Sequence, residues 1–312
     1  MKTLMNLSTS PEDLGRFLDG DDLRAFYRTY GLDGVELFPM DDSAEAGLVP
    51  PDSIIGAHLS FPPCWVDFYR GDEGALVRNF GSMEVAEAMY GGRNPDVLVQ
   101  RLRAQLNIAQ KWRVEYVVFH VSDVSPNESI SYVFRHTDEA VVQAAAELIN
   151  RACENRTDGF DFLVENLWWP GLTMTRPEIT RALLEEIHLP RAGIMLDVGH
   201  FLNTDRSLKS LSEGMCAIRR MLDAHGKLCG RIKGVHLHGG ISGAYVEGML
   251  AQRIALTGDY GTRMGACYRH ILHIDRHTPF DCAGISELIR EIAPRYLTYE
   301  LITRDRREHA QY

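Results

Sequence analysis

Imidazoles and carboxylates recur where apolar runs of this chain come to an end. His58 falls in IIGAHLSF, His120 in YVVFHVSD, Glu165 in FLVENLWW, Asp197 and His200 in IMLDVGHF, His236 in GVHLHGG and Glu300 in LTYELI. Asp275 and His277 follow in HIDRHTPFD. Ionisable groups set in such runs are unfavourable to bury unless they are paired or metal-bound. A single histidine would read as a satisfied core group, but a whole set at strand ends reads as a metal centre. The donors are imidazole and carboxylate with no thiolate. That choice suits Zn²⁺, Mn²⁺, Fe²⁺ or Co²⁺ and not a closed cysteine site. Carboxylates also bridge ions, and a cluster of two or three can activate water and clamp attacking and leaving oxygens.

Such a set needs elements that bring distant residues to one rim. Eight short apolar or β-branched runs read as strands: Thr3–Leu7, Gly34–Phe38, Ile54–His58, Tyr116–Ser122, Phe160–Asn166, Gly193–Asp197, Ile232–His236 and Tyr296–Ile302. Several are continuously apolar, as parallel strands covered on both faces are. Amphipathic helices alternate with them. Asp138–Cys153 lines up Val141, Val142, Ala145, Leu148, Ile149 and Ala152 behind Thr137 as N-cap. Asn94-Pro95 opens another helix, Pro177 a third, and Gly284–Ile292 forms a fourth. The pattern predicts an α/β fold, a single-domain (β/α)₈ TIM barrel over residues 1–312, whose strand ends converge at one mouth. A doubly wound sheet is the runner-up, weakened by the lack of G-x-G-x-x-G after an early strand. Two stretches exceed a barrel's needs, 60–93 after the third strand and 239–274 after the seventh. Both are expected to leave the active-site face as lids or substrate loops.

Composition bounds the function. The chain has 312 residues, 45% hydrophobic and 24% charged, an ordinary globular balance. With 33 Lys+Arg and 43 Asp+Glu its formal net charge is −10, which argues against broad nucleic-acid binding. Six cysteines are scattered with no C-x-x-C, as in a reduced cytoplasmic protein. The N-terminal MKTLMNLSTSPEDL lacks the apolar core of a secretory signal, and no run approaches the roughly 18 apolar residues of a membrane span. A cytoplasmic location is the expectation.

Glu165-Asn166, D-x-x-H at 197–200, H-x-H-G at 236–239 and the terminal Glu300 resemble the xylose isomerase-like TIM barrels, a superfamily that includes the AP endonuclease family 2 enzyme endonuclease IV. The resemblance runs from GVELF at 34 to YELI at 299. Its isomerase and epimerase branch implies one ion held by Glu165, Asp197, His236 and Glu300, with Glu165 and Glu300 as the catalytic pair that exchanges a proton with the sugar carbon. Its endonuclease IV branch implies three zinc ions. His58, His120 and Glu165 would hold the first, Glu165, Asp197, His236 and Glu300 the second, and His200, Asp275 and His277 the third, with Glu165 as the bridge. Asp275-Arg276-His277 discriminates, because a one-metal isomerase has no use for it. The chain departs from the endonuclease pattern in its long 239–274 segment and in the acidic loop PMDDSAEAGLVPPD, where a DNA enzyme would carry basic residues. Phe61 in the loop after His58 keeps aromatic wedging into DNA open. The expectation is a phosphodiesterase acting on a small nucleotide-like substrate, of which a cobamide is one candidate, with DNA disfavoured. A sugar isomerase or epimerase is the alternative, and a ligand-binding barrel without turnover the third reading.

Other residues take supporting roles. His236 and His238 share a strand face because side chains alternate, and His236 is taken as the ligand with His238 as a substrate contact. Trp168 and Arg276 complete the expected substrate site, Arg276 as a phosphate anchor. Trp65, Phe68, Tyr69, Trp169, Tyr245 and Tyr260 are candidate pocket walls. His136, His188, His225 and His309 are expected to be solvated.

Overall fold

The structure is a computed structural model that describes residues 1–40, 45–60, 62 and 64–312. Asp41 to Ala44, in the acidic loop, and Phe61 and Pro63 lie outside the described residues, so neither the middle of that loop nor wedging by Phe61 is addressed. Eight parallel strands close in chain order: β1 (Lys2–Ser8), β2 (Gly34–Phe38), β3 (Ile54–His58), β4 (Tyr116–His120), β5 (Asp161–Glu165), β6 (Ala192–Asp197), β7 (Ile232–Leu237) and β8 (Tyr296–Tyr299). The pairing of β8 with β1 completes a (β/α)₈ barrel.

Alternation along each strand separates two cores. Leu4, Tyr116, Val118, Leu163, Met195 and Tyr296 fill the barrel interior. Their neighbours, Val117, Phe119, Phe162, Val164, Ile194, Leu196, Val235 and Leu297, join the larger core beneath the helices. Stepping two residues on from interior Val118 reaches His120, from Leu163 reaches Glu165, and from Met195 reaches Asp197. The ionisable strand ends therefore cap the interior stack.

The outer helices include Asp96–Trp112, Asp138–Cys153, Pro177–Glu186, Leu211–His225 and Ile285–Ile292. Thr137 caps Asp138–Cys153 by accepting from the Ala140 amide, and the apolar stripe read from sequence is buried. Truncating its fully buried Leu148 to alanine would cost about 2–5 kcal/mol.

Both long insertions leave strand C-terminal ends, and both contain helices. The first carries Val66–Arg70, Glu73–Phe80 and Met83–Tyr90, the second Gly243–Gln252 and Tyr260–Ile274. They meet where Phe80 packs on Tyr260, ring centroids 4.3 Å apart. Trp65 and Phe68 are buried packing residues, with the Trp65 indole donating to the Ser122 carbonyl.

Several expectations need correction. β4 stops at His120 and β8 at Tyr299, short of Ser122 and Ile302, because beyond them the backbone pairs with loop segments: the Leu172 amide donates to the Val121 carbonyl and the Ile302 amide to the His277 carbonyl. His225 is not solvated. It is buried, with Nδ1 on the Met221 carbonyl and Nε2 3.0 Å from the Thr180 hydroxyl. His309 and His136 are half-buried, the latter 3.1 Å from Asp67, and only His188 of the four is exposed. All six cysteines are free. No helix among the described residues is long and apolar enough to cross a membrane.

Candidate metal centre

Register places donors side by side at the mouth. His120 on β4 pairs with Glu165 on β5, and Asp197 on β6 with His236 on β7. The expected ligands fall into three donor groups, each with ligand atoms within 4.8 Å of one another. The first is His58, His120 and Glu165, the second Glu165, Asp197, His236 and Glu300, the third His200, His238, Asp275 and His277. All nine residues expected as ligands are thus brought together, and His238 joins the third group.

Glu165 is fully buried and spans two groups. Its Oε2 lies 3.1 Å from His58 Nε2 and 3.2 Å from His120 Nε2. Its Oε1 lies 3.3 Å from His236 Nδ1. In the second group His236 Nδ1 also faces Glu300 Oε2 at 2.8 Å and Asp197 Oδ2 at 3.7 Å. Asp197 Oδ2 in turn meets His238 Nε2 at 2.9 Å, which links the second group to the third. There Asp275 Oδ2 is 3.1 Å from His200 Nε2 and 2.7 Å from His277 Nε2.

Local sequence explains these placements. Asp197 is the N-cap of a short helix, Val198–Asn203, and its side chain accepts from the His200 amide at 2.6 Å. The D-x-x-H spacing is that of a cap and its third helical residue, so one turn delivers both donors. Gly199 inside it is required by close approach, since a Cβ there would sit 2.0 Å from the His238 ring. Asn166 brackets the end of β6, with its amide nitrogen on the Asp197 carbonyl and its amide oxygen on the Asp197 amide. His277 takes a left-handed backbone, φ 45°, and its flanking segment is tied to the ends of β7 and β8 through Thr278–Gly239 and Ile302–His277 bonds.

Hydrogen bonds also orient the rings. Nδ1 faces a backbone carbonyl in His58 (Leu59), His200 (Asn166) and His277 (Glu300), which leaves Nε2 toward the donor groups. His236 is reversed, with Nε2 on Glu36 and Nδ1 inward. Glu36, in GVELF, escaped the sequence reading as a chemical group. Its signal was a lone carboxylate inside an apolar strand.

The charges lean on one another. Burial pushes the His236 imidazole down, but Glu300, Glu36 and Glu165 outweigh it and hold it well above the ordinary range. Burial likewise pushes the His200 imidazole down, but Asp197 and Asp275 outweigh it and hold it well above the ordinary range. Against burial, Asp275 raises His277 to about 9, and Glu165 raises His58. Conversely, burial would raise Glu165, Asp275 and Glu300, yet neighbouring imidazoles lower all three. Asp275 Oδ1 and His238 Nδ1 are buried without a hydrogen-bond partner among the described residues. Lone pairs left unpaired among crowded carboxylates and imidazoles fit divalent cations.

Beside the cluster lies a cleft of about 210 Å³ whose lining includes His120, His200 and Asp275 together with Leu167, Trp168, Trp169, Met264, Tyr268 and Ile271. Trp168 packs on His200, centroids 5.2 Å apart. Arg276 is exposed. A larger hollow of about 640 Å³ opens elsewhere, around Phe280, Ile289 and Tyr312, and contains none of the donors.

The sequence matches the model of the xylose isomerase-like TIM barrel family over residues 25–308. The chain belongs to that family. A search of curated proteins returns no match. Among solved structures, this xylose isomerase-like barrel is similar to an L-ribulose 3-epimerase, 14% identical with a TM-score of 0.52, the alignment covering 97% of this chain and 82% of the epimerase. It is also similar to endonuclease IV from Thermus thermophilus (18% identity, TM-score 0.47, 100% and 96% covered). A third similar structure is the probable 3-DHS dehydratase AsbF from Bacillus anthracis (12%, 0.47, 100% and 97%). At these identities the likeness is one of fold. Fold alone does not decide between hydrolysis and isomerisation.

Proposed function

We propose that the protein is a metal-dependent hydrolase, a phosphodiesterase working through a di- or trinuclear centre on a small nucleotide-like phosphoester. The observation that carries this reading is the third donor group, His200, His238, Asp275 and His277, set against the Glu165-bridged pair. An isomerase needs one ion, and the second group alone would serve it.

Zinc fits the imidazole and carboxylate donors, as do manganese, iron and cobalt. When bound, such ions lower the pKa of water and offset charge on phosphoryl oxygens. The protein's own contribution is arrangement. Glu165 bridges the first two groups. Glu300 closes the second from the end of β8. Leu167, Trp168 and Trp169 offer an apolar surface to an aromatic portion of the substrate. Arg276, exposed in the chain between two donors but not lining the cleft, is the candidate cation for a phosphate that extends out of it. Neither lysine nor arginine lines the cleft among the described residues, which disfavours the polyanionic backbone of DNA and leaves a nucleotide-like phosphoester, a cobamide among them, as the candidate.

The alternative, a sugar or sugar-phosphate isomerase or epimerase, draws on the convergence of Glu165, Asp197, His236 and Glu300 on one point. Metal analysis of protein purified without chelator separates the two. About three ions per chain, with phosphodiester cleavage across a panel from cobamides to abasic DNA, supports the hydrolase. One ion per chain, with solvent deuterium entering a sugar carbon, overturns it in favour of the isomerase.

A further inference from the structure

The odd orientation of His236 has a cause in the barrel interior. Glu36 is 2% exposed, on β2, across the barrel from β7. Its Oε2 accepts from the Tyr116 hydroxyl at 2.5 Å and from the Thr298 hydroxyl at 3.0 Å. His236 Nε2 lies 2.9 Å from Oε1 and 3.0 Å from Oε2. Tyr116 reaches this point because residue 56 on β3 is glycine, and a Cβ there would stand 2.2 Å from the phenol ring. Tyr116, Thr298 and the gap left by Gly56 thus cooperate to present one carboxylate to one ring nitrogen.

We propose that Glu36 is a positioning residue for the metal centre: it accepts a hydrogen bond from His236 Nε2–H and so reserves Nδ1 as the ligand of the Glu165, Asp197 and Glu300 group. A neutral imidazole carries one N–H, and whichever nitrogen bears it cannot bind metal. Backbone carbonyls do this for His58, His200 and His277, always at Nδ1. For His236 the inward nitrogen is Nδ1, so an acceptor is needed on the far side, and Glu36 is that acceptor. Glu36 also lies within ligand reach of His58 and His236, but its Oε2 is engaged by two hydroxyls, so its effect passes through His236.

This inference rests on the second donor group holding a divalent ion and not on which reaction follows. The test is Glu36→Gln. Tyr116 and Thr298 donate toward Oε2, so the glutamine oxygen belongs there and its NH₂ faces His236. The amide then donates to Nε2 and drives the ring proton to Nδ1. Zinc affinity measured by chelator competition on the full chain should weaken by about 10- to 100-fold. The imidazole ¹⁵N shifts of His236 should report loss of the Nε2–H tautomer, a readout that general loosening would not move in this direction. If Glu36→Gln does not fold, Tyr116→Phe decides: it keeps the ring and frees the carboxylate, and zinc should weaken severalfold. Wild-type zinc with unchanged affinity in the folded variant overturns the proposal alone, as does loss of an additional ion for which Glu36 is itself a ligand. A wild type that binds no zinc overturns the metal reading and this proposal together.

Discussion

His238 and His277 lie face to face, ring centroids 4.0 Å apart and planes 9° apart, with Asp275 beside both. Two stacked imidazolium ions would repel, whereas two neutral rings sharing one cation would not. His238→Ala is therefore expected to lower metal content by about one ion per chain, as Asp275→Ala and His277→Ala are. Phosphodiester turnover should fall by on the order of 10²–10³ in the Asp275 variant, the scale of losing one electrostatic stabiliser. If His238 instead only contacts substrate, its loss raises KM and leaves the metal count intact.

Removing the ions should destabilise the fold. Glu165, Asp197, Asp275 and Glu300 are crowded at one mouth, and a ligand that binds only the folded chain adds its binding energy to folding. At a thousandfold excess of free metal over Kd the gain is about 4 kcal/mol. Thermal melts with chelator and after metal is restored should bracket this difference. Identical Tm values would argue against a resident metal.

Trp168 forms a wall of the cleft and leans on His200. Replacing it with leucine keeps the wall apolar but removes the aromatic face, worth about 1 kcal/mol for a stacked partner. KM for a substrate with an aromatic portion should rise roughly fivefold with kcat nearly unchanged. An unchanged KM would place the substrate elsewhere.

His309 supplies a pH dependence distant from the metal. It sits in the helix Arg306–Gln311 against Phe26, and burial together with Arg16 outweighs Asp13 to lower it from 6.5 to about 4. A histidine lowered in the folded state contributes stability above its unfolded pKa, and that contribution is lost as pH falls from 6.5 toward 4. Chelated wild type should lose more Tm over this window than chelated His309→Leu. Parallel curves would show that the ring takes up its proton without disturbing the C-terminal helix.

Much of the site was legible in the chain because strand periodicity is local. His58, His120, Glu165, Asp197 and His236 each end an apolar run, and two-residue alternation assigns them to one face. The Asp197 to His200 spacing is likewise local, set by one capped turn. Asp275 and His277 were recognisable by type, yet their approach to His200 and His238 depends on bonds that tie His277 and Thr278 to the chain just beyond β7 and β8.

What the sequence by itself determined is the alternation of strands and helices and the chemical kind of the donors, since both follow from residue type and short-range periodicity. Barrel closure decided the rest. It set Glu36 of β2 against His236 of β7, 200 positions apart in the chain. It also gave each oxygen of Glu165 a different group to serve, and it placed His238 beside His277. Which nitrogen of a ring points inward depends on an acceptor contributed by another strand, and spacing along the chain carries no record of that contact.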